Sequence, residues 1–97
     1  MITSKQRSYL RSLANNLQPI FQLGKEGIEE NFLKQIDEAL EVRELIKITV
    51  LNNSGFGARE ASDYICESLK CEGVQAIGSK FVIYRKSRKK PKIEIPV

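Results

Sequence analysis

The chain has no histidine and only two cysteines among its 97 residues. Histidine is the side chain that most often serves as a general base, and a serine or cysteine nucleophile without one has nothing to take its proton. It is also the commonest metal ligand. A metal site would have to be built from carboxylates with Cys66 and Cys71, and no such cluster shows in the spacing. The two thiols do not make the framework of a small secreted domain. They stand five positions apart around an expected helix end, where they should not face each other. They read as small buried or half-buried side chains. Long apolar runs are missing too, which argues against a membrane span. The opening Met-Ile-Thr-Ser-Lys-Gln-Arg holds no apolar segment of the signal-peptide kind. These absences predict a cytoplasmic, non-catalytic protein with no cofactor and no membrane partner.

Acidic residues are absent from the first 25 positions, which carry Lys5, Arg7, Arg11 and Lys25. From Glu26 to Ser79 there are five basic and eleven acidic residues, and from Lys80 to Val97 seven basic and one acidic. The stretches therefore carry +4, −6 and +6, which gives the net +4 of the whole chain. If the two basic ends meet in the fold, they form a positive face opposite an acidic one, the electrostatic footprint of a polyanion binder. The last stretch, from about residue 86 to 97, also reads as a solvated, disordered basic tail.

The length fits one domain spanning 1–97, and an apolar fraction of 41% is enough for one small core. Thr3 and Gln6 form a capping-box pattern. Leu10, Leu13, Ala14 and Leu17 follow at helical spacing to an end near Asn15-Asn16, and Pro19 confirms the break. Arg7 and Arg11 lie on one stripe beside that apolar face. Pro19–Leu23 reads as a short strand. A second helix starts near Glu29 and runs to about Glu41, with Ile28, Phe32, Ile36, Ala39 and Leu40 inward and Asp37, Glu38 and Glu41 outward. Leu45–Leu51 is β-branched and apolar on both parities, as expected of a strand buried on both faces. A third helix is expected from about Ala58 to Lys70, with Ala61, Ile65, Ser68 and Leu69 inward and Gly73 ending it. Val74–Ile77 and Phe81–Tyr84 flank Gly78-Ser79, a two-residue hairpin signal. Ile93–Ile95 offers a short edge strand. The order α-β-α-β-α-β-β describes a small α/β domain with a mixed four-stranded sheet, because strands joined through helices run parallel and the closing hairpin is antiparallel.

Chemistry concentrates in few places. Gly73-Val-Gln-Ala-Ile-Gly-Ser-Lys80 resembles a nucleotide-binding P-loop only superficially, since Lys follows Ser and a strand occupies the cradle positions. Gly55-Phe56-Gly57 reads as a loop with a hydrophobic staple rather than an anion site. Gly24-Lys25-Glu26-Gly27 is the stronger candidate. It follows a strand and opens a helix, where glycine lets backbone approach a ligand and free N–H groups favour anions. Glu26 is the residue in this loop least suited to a phosphate. Tyr84 and Arg85 close the last strand, with Tyr84 open to two readings, a core side chain or a stacking ring beside a phosphate fork. Together these residues suggest one face that grips RNA backbone: Lys5, Arg7 and Arg11 on the first helix, the loop from Gly24 to Gly27, and Tyr84, Arg85, Lys86 and Arg88 at the chain's end.

The runs Ser4-Lys-Gln-Arg with Leu10, Leu13-Ala14 and Leu17-Gln-Pro-Ile, then Leu23-Gly-Lys-Glu-Gly-Ile, Glu44-Leu-Ile-Lys-Ile, and Gln75-Ala-Ile-Gly with Phe81-Val-Ile-Tyr-Arg85 resemble the CRM domain. More narrowly, they resemble its bacterial stand-alone, YhbY-like members. The resemblance covers nearly the whole chain in order and spacing. It implies an RNA-binding domain with a fold similar to the C-terminal domain of bacterial translation initiation factor three. It also implies association with ribosomal RNA in precursors of the large ribosomal subunit. The family's Gly-x-x-Gly loop maps onto Gly24–Gly27, and its basic patch onto Lys5, Arg7, Arg11, Lys25 and Arg85. Two other classes stay open at this point: an Alba-like chromatin protein that binds duplex DNA, and a ribosome-assembly scaffold working mainly through protein contacts.

Overall fold

A computed structural model describes residues 2–96, so the expected domain limits at Met1 and Val97 lie outside the described residues. Helix α1 spans Ser4–Ala14, strand β1 Phe21–Leu23, α2 Glu30–Arg43, β2 Leu45–Val50, α3 Ala58–Leu69, β3 Glu72–Ile77 and β4 Lys80–Tyr84. A single 3-10 turn, Asn52–Ser54, leads into α3. The four strands form one sheet in the order β1-β2-β4-β3. β1 runs parallel to β2, and β4 runs antiparallel to both β2 and β3. The expected α/β order and mixed sheet are what the chain adopts.

Alternation along β2 and β4 sorts side chains between two layers. Ile46, Ile48, Phe81 and Ile83 face α2 and α3, where Ile36, Leu40, Ala61 and Ile65 complete the larger core. Leu45, Val82 and Tyr84 face the opposite layer, where Leu10 and Ala14 of α1 cover them. A fully buried aliphatic side chain stabilises by about 2 kcal/mol through area removed from water. This explains why β2 is apolar on both parities. The capping box of α1 is present, with Gln6 N donating to Thr3 Oγ1 at 3.1 Å and Thr3 N to Gln6 Oε1 at 2.9 Å.

Several boundaries differ from expectation, each for a local reason. β1 starts at Phe21, although Ile20 N already donates to Lys47 O at 2.9 Å. α2 continues to Arg43 and stops at Glu44, whose φ of 65° no longer suits a helix. α3 ends through the left-handed Lys70 (φ 58°, ψ 46°) and not at Gly73, which lies inside β3 beside a bulge. Ser68 is exposed, and Ser62 takes the inward position instead. Ile93–Ile95 forms no strand.

Of the two readings of the tail, the solvated, disordered one is not what the chain adopts. Residues 86–96 are neither strand nor helix, yet they are tied down by two carboxylates of α2's end. Glu44, fully buried, accepts from Ser87 N at 2.8 Å, Lys92 N at 2.6 Å and Ile93 N at 2.8 Å. Glu41 accepts from Ser87 Oγ at 2.8 Å and from the amides of Arg88 and Lys89, both at 3.1 Å. Ile93 and Ile95 then pack on the α1 layer, and Gln6 Nε2 donates to Pro96 O at 3.1 Å. The two basic ends of the chain do meet. The expected acidic outer face of α2 is correspondingly reduced: Asp37 and Glu41 turn to this tail, and Glu38 stays exposed.

Candidate functional site

The sheet has two ends with different contents. Leu23, Val50, Ile77 and Lys80 share one end by register, so the Gly24–Gly27 loop, the Asn52–Gly57 segment and the Gly78-Ser79 turn all gather there. α2 and α3 both start at this end. Gly27 N donates to Gly24 O at 3.0 Å, closing a tight turn, and Gly27 has a φ of 74°, which a side chain would strain. The amides of Lys25, Glu26, Ile28 and Glu29 find no acceptor among the described residues, and Glu29 supplies no side-chain cap. Lys25 and Glu26 are both exposed. An open cleft beside the loop is lined by Gln22, Asn31, Phe32 and Gln35 as well as the loop itself.

Gly24 differs from Gly27 in a way that bears on function. Its φ is ordinary, and a Cβ placed on it would meet only Leu51 Cδ1, at 3.7 Å, a normal contact. The fold needs glycine at 27 but does not need it at 24. A bare backbone at position 24 suits close approach by something outside the chain.

A second cleft runs along the other edge of the sheet. It is lined by Arg7, Arg11, Arg59, Ser62, Asp63 and the backbone of β3. Arg7 Nε donates to Gly73 O at 3.0 Å and Arg11 Nε to Val74 O at 3.3 Å. These bonds dock α1 on β3 and occupy carbonyls of an edge strand that would otherwise stand open to another chain. Neither arginine has a carboxylate partner among the described residues, whereas Arg59 pairs with Asp63 at 3.5 Å. β1 and β3 are opposite edges, about 14 Å apart at the usual strand spacing. The arginines of α1 and the GKEG loop are therefore separate sites.

Tyr84 and Arg85 lie at the far end of β4 from the loop, about 17 Å along the strands. Tyr84 is buried against α1, where burial, with Glu44 adding to it, raises its phenol above the ordinary value. Arg85 is 8% exposed. Its Nη2 meets Asp37 Oδ1 at 3.2 Å and Asp37 O at 3.0 Å, and its Nη1 meets Glu41 Oε1 and Lys86 O, both at 3.2 Å. Its Nε has no partner among the described residues. Of the two readings of Tyr84, the core one is what the structure shows, and the expectation of an exposed guanidinium fork at Arg85 is corrected: both side chains are held inside the fold, and the guanidinium fastens α2 to the tail. Lys5, Lys86 and Arg88 are exposed, the last two near Arg85 rather than near the loop. The single face expected from sequence is divided among three places.

Arg85→Ala is expected to lower the unfolding free energy by about 3 kcal/mol, since it empties a buried site and removes the charge-assisted bonds that tie Asp37, Glu41 and the tail together. Urea titration measures this, and a change under about 0.5 kcal/mol, the range of a neutral surface substitution, would refute the assignment.

Sequence reasoning passed over Arg59 and Lys80, which flank the loop end. The available signals were the place of Arg59 two positions after Gly55-Phe56-Gly57 and that of Lys80 directly after the hairpin turn.

The chain is similar to proteins in several organisms. It is 44% identical over 96 residues to the "Probable RNA-binding protein YqeI" of Bacillus subtilis, covering 99% of this chain and 100% of that one. It is 35% identical over 95 residues to an "RNA-binding protein" of Haemophilus influenzae, covering 98% of this chain and 95% of that one. The solution structure of the hypothetical protein SAV1595 from Staphylococcus aureus superposes with a TM-score of 0.81 at 53% identity, covering 99% of this chain and all of that one. The family model of the CRS1 / YhbY (CRM) domain matches residues 2–85, and the chain belongs to that family.

Proposed function

We propose that this chain is a non-catalytic RNA-binding domain whose primary contact is the Gly24–Gly27 loop. The carrying observation is that loop: free amides at a helix start, an exposed lysine, and a glycine at position 24 that the fold itself does not require. Backbone N–H groups and Lys25 receive phosphate oxygens, and Glu26 points a like charge at the ligand that moderates the grip. The cleft of Arg7, Arg11 and Arg59 adds a second phosphate contact along the β3 edge. Relatives named for RNA binding support RNA over duplex DNA as the ligand. The finer reading is ribosomal RNA within precursors of the large subunit, in the cytoplasm, with the domain acting in ribosome assembly.

The test is a salt titration of binding to ribosomal RNA fragments, with duplex DNA as competitor. If about three phosphates are contacted, affinity falls roughly 20-fold over a fourfold rise in salt. RNA binding that ignores salt would point instead to a scaffold held by protein contacts. Crosslinking in cell extract followed by sequencing of the bound RNA tests the ribosomal assignment, which recovery of mainly non-ribosomal RNA would overturn.

A further inference from the structure

The end of α3 brings together two side chains that helical spacing alone keeps apart. Lys70 adopts the left-handed conformation, and Cys71 N then donates to Cys66 O at 3.1 Å. This is the Schellman arrangement, in which the residue two beyond the helix returns over the residue three from its end. An apolar contact usually fills that place, and here both positions are cysteine. That turn sets the two side chains beside each other, contrary to the expectation from their separation in sequence, and each shifts the proton affinity of the other. Cys66 is half-buried and Cys71 is buried. A Cβ on Gly73 would stand 3.5 Å from Ser62 Oγ and 4.0 Å from Cys66 Sγ, so the Cys66 sulfur lies over a bare stretch of β3. Gly73 and Ser62 both line the open cleft at that edge, which gives a small oxidant a way in.

We propose that Cys66 and Cys71 form a reversible thiol–disulfide site that takes a peroxide as its oxidant, with Cys66 attacking and Cys71 resolving. Cys66 is the more exposed of the two, and hydrogen bonds from Cys71 and Ser62 favour its thiolate. The Cys71 thiol is held protonated by its bond to Cys66 and by burial. In the first step the Cys66 sulfur attacks one peroxide oxygen and the O–O bond breaks. Hydroxide leaves and is protonated to water, and Cys66 becomes a sulfenic acid. In the second step Cys71 gives up its proton and its sulfur attacks Cys66. The S–O bond breaks, and a second water leaves. Two thiols lose two electrons, and peroxide gains them. A dithiol reverses the bond by exchange and is itself oxidised. The site stands apart from the Gly24–Gly27 loop and does not depend on RNA binding.

Intact-mass measurement of the native chain after brief peroxide treatment tests this. The expected product is a monomer lighter by two hydrogens, with both thiols lost to maleimide and recovered by a dithiol. With Cys71→Ser the reaction should stop at a dimedone-reactive sulfenic acid on Cys66. With Cys66→Ser, Cys71 should react about tenfold more slowly than Cys66 does in the wild type. Disulfide-linked dimers, stepwise addition of oxygens without the loss of two hydrogens, or Cys71 reacting as fast as Cys66 would each overturn the proposal. The wild-type mass stands as a test even if a variant fails to fold.

Discussion

Replacing Glu44 with alanine will detach the tail and lower the unfolding free energy by about 3 kcal/mol, since three amides lose a charged acceptor and the substitution opens a buried site. For a domain of this length the same change lowers the melting temperature by about 15 °C. The ammonium groups of the tail play little part in this, because the bonds come from backbone N–H groups of Ser87, Lys92 and Ile93. Glycine at the same position should be better tolerated than alanine by about 1 kcal/mol, because the φ of 65° costs a side chain and costs glycine little. Hydrogen exchange of the tail amides reports the detachment directly. Unchanged protection at Ser87 and Ile93 in Glu44→Ala would show that the carboxylate does not hold the tail.

Acid should act on the same contacts. Burial pushes the Glu44 carboxyl up, but the amides of Ser87, Lys92 and Ile93 outweigh it and the net direction is down. The Arg88 amide and the Ser87 hydroxyl hold Glu41 down to about 2, from an ordinary value of 4.5. A carboxyl depressed by folding contributes its stabilisation fully above its unfolded value and loses it as pH falls through the folded one. The tail should therefore stay docked above about pH 4.5 and loosen as pH drops toward about 2. A tail that loosens on raising pH through neutrality would contradict this.

The double change Gly24→Asp with Lys25→Glu is expected to weaken RNA binding about a hundredfold at low salt, close to 2.7 kcal/mol. It places carboxylates where phosphate oxygens would sit and removes the loop's cation. The fold should be unaffected to within about 0.5 kcal/mol, because a side chain at position 24 meets only Leu51 at an ordinary distance. That separation of binding from stability makes position 24 a better probe than Gly27, whose left-handed φ would be strained by any side chain. Glu38→Lys, on the exposed flank of α2, should change affinity less than twofold or so. If the double variant binds like the parent, the loop is not the RNA contact.

Helices and strands were legible because they rest on local periodicity. The apolar spacing of α1 and the two-sided burial of β2 follow from side chains a few positions apart. The hairpin at Gly78-Ser79 was legible for the same reason, with Gly78 at a φ of 60°. Contacts between distant parts of the chain were not. Arg85 read as a phosphate fork because nothing near it in sequence is acidic, yet Asp37 and Glu41 reach it across 48 and 44 positions. The tail read as solvated because its charge is uniform, while what anchors it is backbone N–H, which every non-proline residue carries. Cys66 and Cys71 were misjudged by applying helical spacing across a left-handed residue. The site was divided rather than lost: topology carried α1 to one edge of the sheet and the loop to the other.

The bonds to Glu44 also order events in time. Its partners lie 43 to 49 positions later in the chain, so they are synthesised after it. Until the segment from Ser87 to Ile93 leaves the ribosome, Glu44 has none of these three amides, and Leu10 and Tyr84 lack Ile93 and Ile95 as cover. The nascent domain can pair β2 with β4 only after Lys80–Tyr84 has emerged, and it closes its α1 layer later still. This domain therefore closes only after its own tail segment has been translated.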